Sequence, residues 1–233
     1  MTTFTDDFNR ADSTSLGAGW VEVSGDWSII SNRLSSGSAG GTIILRAAGA
    51  MATNDNSAQA TVAVTAAVSH GVWCRGNTNI TSGYLWRNDG TSWNLFSVVG
   101  GSFSSIGSFA GAAVSGDVAK VQAVGSTIKG FVNGVQRVSV TDTAVATGTS
   151  VGICAESVAT LRFDDFTGAD VSSGATGDAA LAATATLAAT GLRAAAGSSA
   201  VTTTATLSTT GQRATTGTAA LAPTASLTAS GAR

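Results

Sequence analysis

Trp73, Arg75, Tyr84, Trp86, Arg87, Trp93 and Asn94 gather flat rings, guanidinium groups and an amide within about two dozen residues of the 233-residue chain. Aromatic faces stack on flat apolar surfaces, and planar polar side chains fix the orientation of a hydroxyl-rich ring. These seven are therefore the candidate contacts for a sugar. Alternate residues of a strand share a face, so Trp73 goes with Arg75 and Tyr84 with Trp86, while Arg87 opposes Trp86. Tryptophan in a β-sandwich is more often core than platform, and Trp20 and Trp27 are expected in the core.

Cleaving a glycosidic bond asks for something else, a pair of carboxylates about 5 Å apart in a retaining enzyme. The only glutamates, Glu22 and Glu156, read as isolated. Asp6-Asp7 and Asp164-Asp165 are adjacent, so within a strand their side chains diverge. Serine-nucleophile chemistry would rest on the single histidine, His70, which reads as a polar turn residue before Gly71. No catalytic residue is assigned, and the chain is expected not to be an enzyme. The acidic pairs near the two ends of the domain could instead bring Asp7 and Asp165 together as oxygen ligands for a structural calcium ion. Alternatively, one member of each pair faces water and the other caps a turn. No other cofactor is expected. Two cysteines and one histidine are too few for a zinc site of ordinary ligand count. Cys74 and Cys154 lie inside apolar runs and read as buried free thiols rather than a disulfide.

The elements that must carry these residues are strands. Hydrophobic residues make up 43% of the chain, charged residues 11%, and there are 29 glycines. Ala, Gly, Ser, Thr and Val suit strands and turns better than helices. Short strands are predicted over 27–30, 42–46, 58–64, 71–75, 84–87, 93–99, 118–124, 127–132, 136–140, 150–155 and 160–166. Asn88-Asp89-Gly90 and Asn133-Gly134 are hairpin turns, because these residues tolerate positive φ. Gly100-Gly101 is another, and not a phosphate loop. So many antiparallel strands predict an all-β, jelly-roll β-sandwich. The net charge of −2 argues against a nucleic-acid partner or a polybasic membrane surface, and no apolar run is long enough to insert in a membrane.

The composition changes near residue 171. Every Phe, Tyr and Trp precedes it, and none comes after. Residues 1–170 form the sandwich, 171–176 a linker, and 177–233 three repeats with a 20-residue period. Leu181, Val201 and Leu221 align, as do Leu187, Leu207 and Leu227, and Arg193, Arg213 and Arg233. Each unit alternates with period two. A unit this small cannot bury enough apolar area alone, so it must stack or pair with other copies. An intertwined fibrous trimer meets that demand.

The opening Asp6-Asp7-Phe8-Asn9-Arg10-Ala11-Asp12, Gly25-Asp26-Trp27 and Asn32-Arg33-Leu34 resembles concanavalin A-like (laminin-G-like) jelly rolls. So do Gly71-Val72-Trp73-Cys74-Arg75, Gly83-Tyr84-Leu85-Trp86-Arg87, Phe131-Val132-Asn133-Gly134 and Arg162-Phe163-Asp164-Asp165-Phe166. The resemblance covers about residues 4–170 and implies that the last strand pairs beside the first. With the Thr/Ala/Gly repeats and a polar N-terminus, the chain resembles minor tail proteins of phages infecting actinobacteria. That second resemblance implies a virion tail or fibre component, made in the host cytoplasm. Its implied partners are two further copies in a homotrimer, other tail proteins, and host cell-wall glycan. A free-standing carbohydrate-binding lectin, a capsid decoration or head-fibre protein, and a degenerate glycosidase are the alternatives.

Overall fold

The computed structural model describes residues 1–172; the boundary at 171–176, beyond its first two residues, and the repeats of 177–233, with their trimer, lie outside them. Among the described residues the regular elements are all strands: β1 (Thr3–Asp6), β2 (Trp20–Glu22), β3 (Ser28–Ile29), β4 (Leu34–Ser35), β5 (Thr42–Ala47), β6 (Asn56–Val64), β7 (His70–Gly76), β8 (Gly83–Asn88), β9 (Ser92–Val99), β10 (Ser102–Ala110), β11 (Asp117–Val124), β12 (Thr127–Val132), β13 (Val135–Thr141), β14 (Ser150–Glu156) and β15 (Arg162–Asp170). An eight-stranded sheet runs β13-β12-β11-β6-β15-β4-β3, with β1 also on β15; a seven-stranded sheet runs β10-β9-β8-β7-β14-β5-β2. The pairings are antiparallel. The first and last strands do pair, with Phe4 opposite Gly168 and Asp6 opposite Phe166.

The turns obey residue chemistry. Asn133 and Gly134 carry φ of 54° and 74° between β12 and β13, the left-handed pair that a two-residue hairpin requires. Four strands lie outside the ranges read from the sequence: the short β1, β2 and β4, and the long β10. β10 is rich in Ser and Gly and mostly exposed, so it lacks the apolar alternation that marks a half-buried strand. Its pairing with β9 defines it instead.

The core fills the space between the sheets. Trp86 of β8 stacks on Trp93 of β9 at 5.6 Å and donates from Nε1 to the Phe131 carbonyl of the facing sheet at 3.0 Å. Room for that indole is made by Gly130 on β12, where a Cβ would stand 2.6 Å from the ring. At the opposite corner Phe4, Phe8, Trp20 and Phe166 pack together. Asp6 ties this corner down. It accepts from Arg10 at 2.7 and 3.0 Å, from Trp20 Nε1 at 2.7 Å and from the Phe8 amide at 2.8 Å. Cys74 and Cys154 are free and buried. They belong to separate apolar clusters on opposite faces of the seven-stranded sheet.

Candidate functional site

The structure divides the seven candidate residues. Tyr84, Trp86 and Trp93 point between the sheets and are 0–1% exposed. They are core, and the expectation that they form a sugar platform is corrected: strand alternation aims them inward with Val72 and Leu95. Tyr84 also donates to Asp142 Oδ1 at 2.8 Å, and burial pushes its hydroxyl up to about 12.

Arg75 is corrected too. Its φ of +47° and the register shift between β14 and β7 break the alternation that paired it with Trp73. Its guanidinium turns under the sandwich edge. There Nε donates to the Asn54 carbonyl at 2.8 Å, Nη1 to that of Gly125 at 2.7 Å, and Nη2 to Asp55 Oδ1 at 3.1 Å. It is a structural tie, committed at every edge.

Asn94 lies on the outer face, yet its amide is held locally by Asp89 Oδ2 at 3.0 Å and the Ser92 carbonyl at 3.2 Å. Asp89 closes the β8–β9 turn, accepting from the Thr91 hydroxyl and amide and the Ser92 amide, and these bonds lower its carboxyl to about 2. A depressed folded value means stabilisation that is complete above the unfolded range near 4 and vanishes as pH falls through about 2. Protection of the Thr91 and Ser92 amides, relative to their intrinsic exchange rates, should therefore fall between about pH 4 and 2, and in Asp89→Asn it should be low throughout.

Trp73 and Arg87 remain on the outward side of the seven-stranded sheet, where Trp73 is itself 1% exposed, packed with Ile80, Leu85, Val98 and Cys154, and Arg87 is half-buried above it. The register puts Trp73 beside Leu85 and Gly152, Leu85 beside Phe96, and Gly152 beside Arg46. One row across five strands thus reads Arg46, Gly152, Trp73, Leu85, Phe96. Arg46 and Trp73 flank a glycine, with Cα atoms about 10 Å apart at ordinary strand spacing. Phe103 of β10, paired with Val98, leans diagonally onto the row, its ring edge-on to Trp73 at 6.3 Å and to Phe96 at 5.9 Å. The Arg87 guanidinium lies over Phe96 at 4.8 Å and Phe103 at 5.6 Å.

This face has unmet hydrogen bonds. Arg46 Nε, Trp73 Nε1 and Arg87 Nε are buried and without a partner in the protein. Trp73 Nε1 points at the Cys154 sulfur, outside full hydrogen-bond geometry but near enough to favour its thiolate form, and the charge of Arg87 acts on the same atom. Burial pushes that thiol up to about 11, so it is a neutral and weak acceptor. Buried donors without acceptors each cost about 1–3 kcal/mol and are rare in native proteins. These are the described side chains with such atoms, and all three lie on one face. Phe103 is 45% exposed at its rim, which leaves a flat apolar surface beside the guanidinium. Sequence reasoning missed Arg46 and Phe103. Period-two alternation in Thr42 to Arg46 could have put Arg46 on this face, but not beside Trp73, because that juxtaposition depends on register through β14.

The acidic expectations also change. Pairing of β1 with β15 brings Asp7 and Asp165 onto one concavity with Thr5, Asp6 and Thr167. Asp6 is already engaged there, and Asp164 faces Arg33 at 3.7 Å. Among the described residues no three His, Cys, Asp or Glu side chains group as a metal cage, so a calcium ion between Asp7 and Asp165 would take its other oxygens from backbone, hydroxyl groups and water. Glu22 is not isolated. It lines a concavity of about 400 Å³ with Asp26, Trp27 and Ile30. Burial, and after it the neighbouring Asp26, raise the Glu22 carboxyl above its ordinary value. His70 is no turn residue but a buried strand residue, edge-on to Trp93 and Phe163, bonded through Nδ1 to the Val68 carbonyl at 2.7 Å. Burial lowers its pKa and keeps it neutral.

No family model matches the chain, and no curated protein does. Solved structures match in shape. The chain is similar to a carbohydrate-binding module, CBM66, from Bacillus subtilis (16% identity, TM-score 0.50, over 64% of this chain and 92% of that one). It is similar to a Bacillus subtilis protein of unknown function with a galectin-like fold (11% identity, TM-score 0.52, 72% and 94%). It is also similar to a β-glucanase of Bacillus licheniformis (11% identity, TM-score 0.51, 72% and 98%). The fold is a concanavalin- and galectin-like jelly roll. The exclusion of enzymes is overturned by the same comparison, because a glucanase shares the fold. Its premise fails as well, since Asp26 follows Glu22 by four residues and lines the same concavity.

Proposed function

We propose that the protein binds glycan on the outer face of its seven-stranded sheet, around Trp73, Arg87, Arg46 and Phe103. The observation that carries this reading is the cluster of three buried donors without protein partners on one face, beside an exposed aromatic ring. A polyhydroxylated ligand supplies acceptors to the half-buried guanidinium groups of Arg46 and Arg87 and a ring face to Phe103, while Trp73 backs the face from beneath. The carbohydrate-binding module of the same fold is compatible with this assignment.

The setting in this reading is a phage tail or fibre, made in the host cytoplasm. The repeats of 177–233 join the chain to two further copies and to other tail proteins, and the jelly roll meets host cell-wall glycan. Support for the setting comes from the motif resemblance and the in-phase repeats. A monomeric full-length chain by light scattering would favour the free-standing lectin.

The binding test is Phe103→Ala, which removes an exposed ring and should leave melting unchanged. Retention on host cell-wall polysaccharide should fall about tenfold, the contribution of one stacking contact. Undiminished retention would overturn the face assignment. Loss in Glu22→Gln instead would move the site to the Glu22–Asp26 concavity.

A further inference from the structure

We infer that the glycan carries oxyanions, carboxylate or phosphate groups that seat against Arg46 and Arg87. This rests on the binding-face reading above and narrows its ligand. The unmet groups are all donors: guanidinium nitrogens and an indole N–H never accept. A neutral sugar hydroxyl would satisfy each donor while bringing a proton that itself needs an acceptor. At the centre of the row no side chain accepts, because Gly152, Leu85 and Phe96 are apolar or bare and the nearby Cys154 is a protonated thiol. An oxyanion accepts only, and planar guanidinium groups bind it through paired hydrogen bonds.

Charge balance points the same way. Among the described residues Arg46 and Arg87 have no acidic partner, and neither do Arg137 and Arg162, whereas Arg10, Arg33 and Arg75 each have one. Arg46 Nη1 is engaged by the Ala47 carbonyl at 2.9 Å, and Arg87 is oriented only by Phe96 and Phe103. Two carboxylates border this face: Glu156, exposed at its end opposite Thr42, and Asp89, which holds Asn94 across from Arg87 and whose oxygens are taken by Thr91, Ser92 and Asn94. The chain as a whole is slightly acidic, so two uncompensated arginines on one face are a local feature and not a general basic surface.

The test is titration of the full chain with polygalacturonate, with a phosphodiester-linked polyol polymer, and with neutral dextran, at low and high salt. Binding to one or both charged polymers should exceed dextran by about tenfold and weaken with salt. Arg87→Gln should abolish that difference while melting at the wild-type temperature. Which charged polymer wins identifies the oxyanion. Equal, salt-independent binding of dextran and the charged polymers would overturn the anionic ligand and leave the glycan-binding face standing. Charged-polymer binding that Arg87→Gln and Arg46→Gln both leave intact would overturn this site as well.

Discussion

Replacing Trp86 with alanine should destabilise the jelly roll by about 3–5 kcal/mol, the loss typical of a large buried aromatic. The indole is fully buried, stacks on Trp93, packs into the space left by Gly130 and donates to the Phe131 carbonyl. Truncation removes all three contacts and leaves a cavity between two sheets whose backbones are fixed by their ladders, so little collapse is available. Filling the same space from the other side should do comparable damage. Gly130→Val would drive two methyl groups into the indole, since even a lone Cβ there would stand 2.6 Å from the ring. Denaturant unfolding checks both, and a loss under about 1 kcal/mol for Trp86→Ala would contradict the packing described.

The second large effect belongs to Asp6. Asp6→Ala leaves the Trp20 indole N–H, the Phe8 amide and the Arg10 guanidinium without their shared acceptor. Charge-assisted bonds of this kind support a loss of about 3 kcal/mol. Burial raises the Asp6 carboxyl, but the bonds from Arg10, Trp20 and Phe8 outweigh it and the net value is lowered. Stabilisation by Asp6 is therefore present above the unfolded value of about 3.9 and is lost as pH falls through the lower folded value. The wild type should lose stability on acidification below about pH 4 more steeply than Asp6→Asn, read as melting temperature against pH.

These two positions also show what was legible in the sequence. The strands and glycine turns that hold Trp86 are set by local pattern, because alternation and Asn-Gly steps act over a few residues. The inward direction of Trp86 against the outward direction of Arg87 is part of the same pattern. The structure departs from pattern where backbone leaves the β region. Arg75 at φ +47° turns to the sandwich edge instead of joining Trp73, and Asp165 at φ +49° meets Asp7 across a strand end. Contacts between distant strands were out of reach for another reason. Arg46 meets the Trp73 row only through β14, far later in the chain, and no local signal encodes that register. The proximity of Glu22 and Asp26, by contrast, was legible in their four-residue spacing.

The most direct test of the binding face is the indole N–H signal of Trp73 in a nitrogen–proton correlation spectrum during glycan titration. Trp20, Trp27 and Trp86 donate to protein acceptors, whereas Trp73 Nε1 has none. Addition of host cell-wall glycan should shift the Trp73 indole and the Arg46 and Arg87 Nε–H signals and leave those of Trp27 and Trp86 in place. Saturable binding that leaves Trp73, Arg46 and Arg87 unmoved would contradict it.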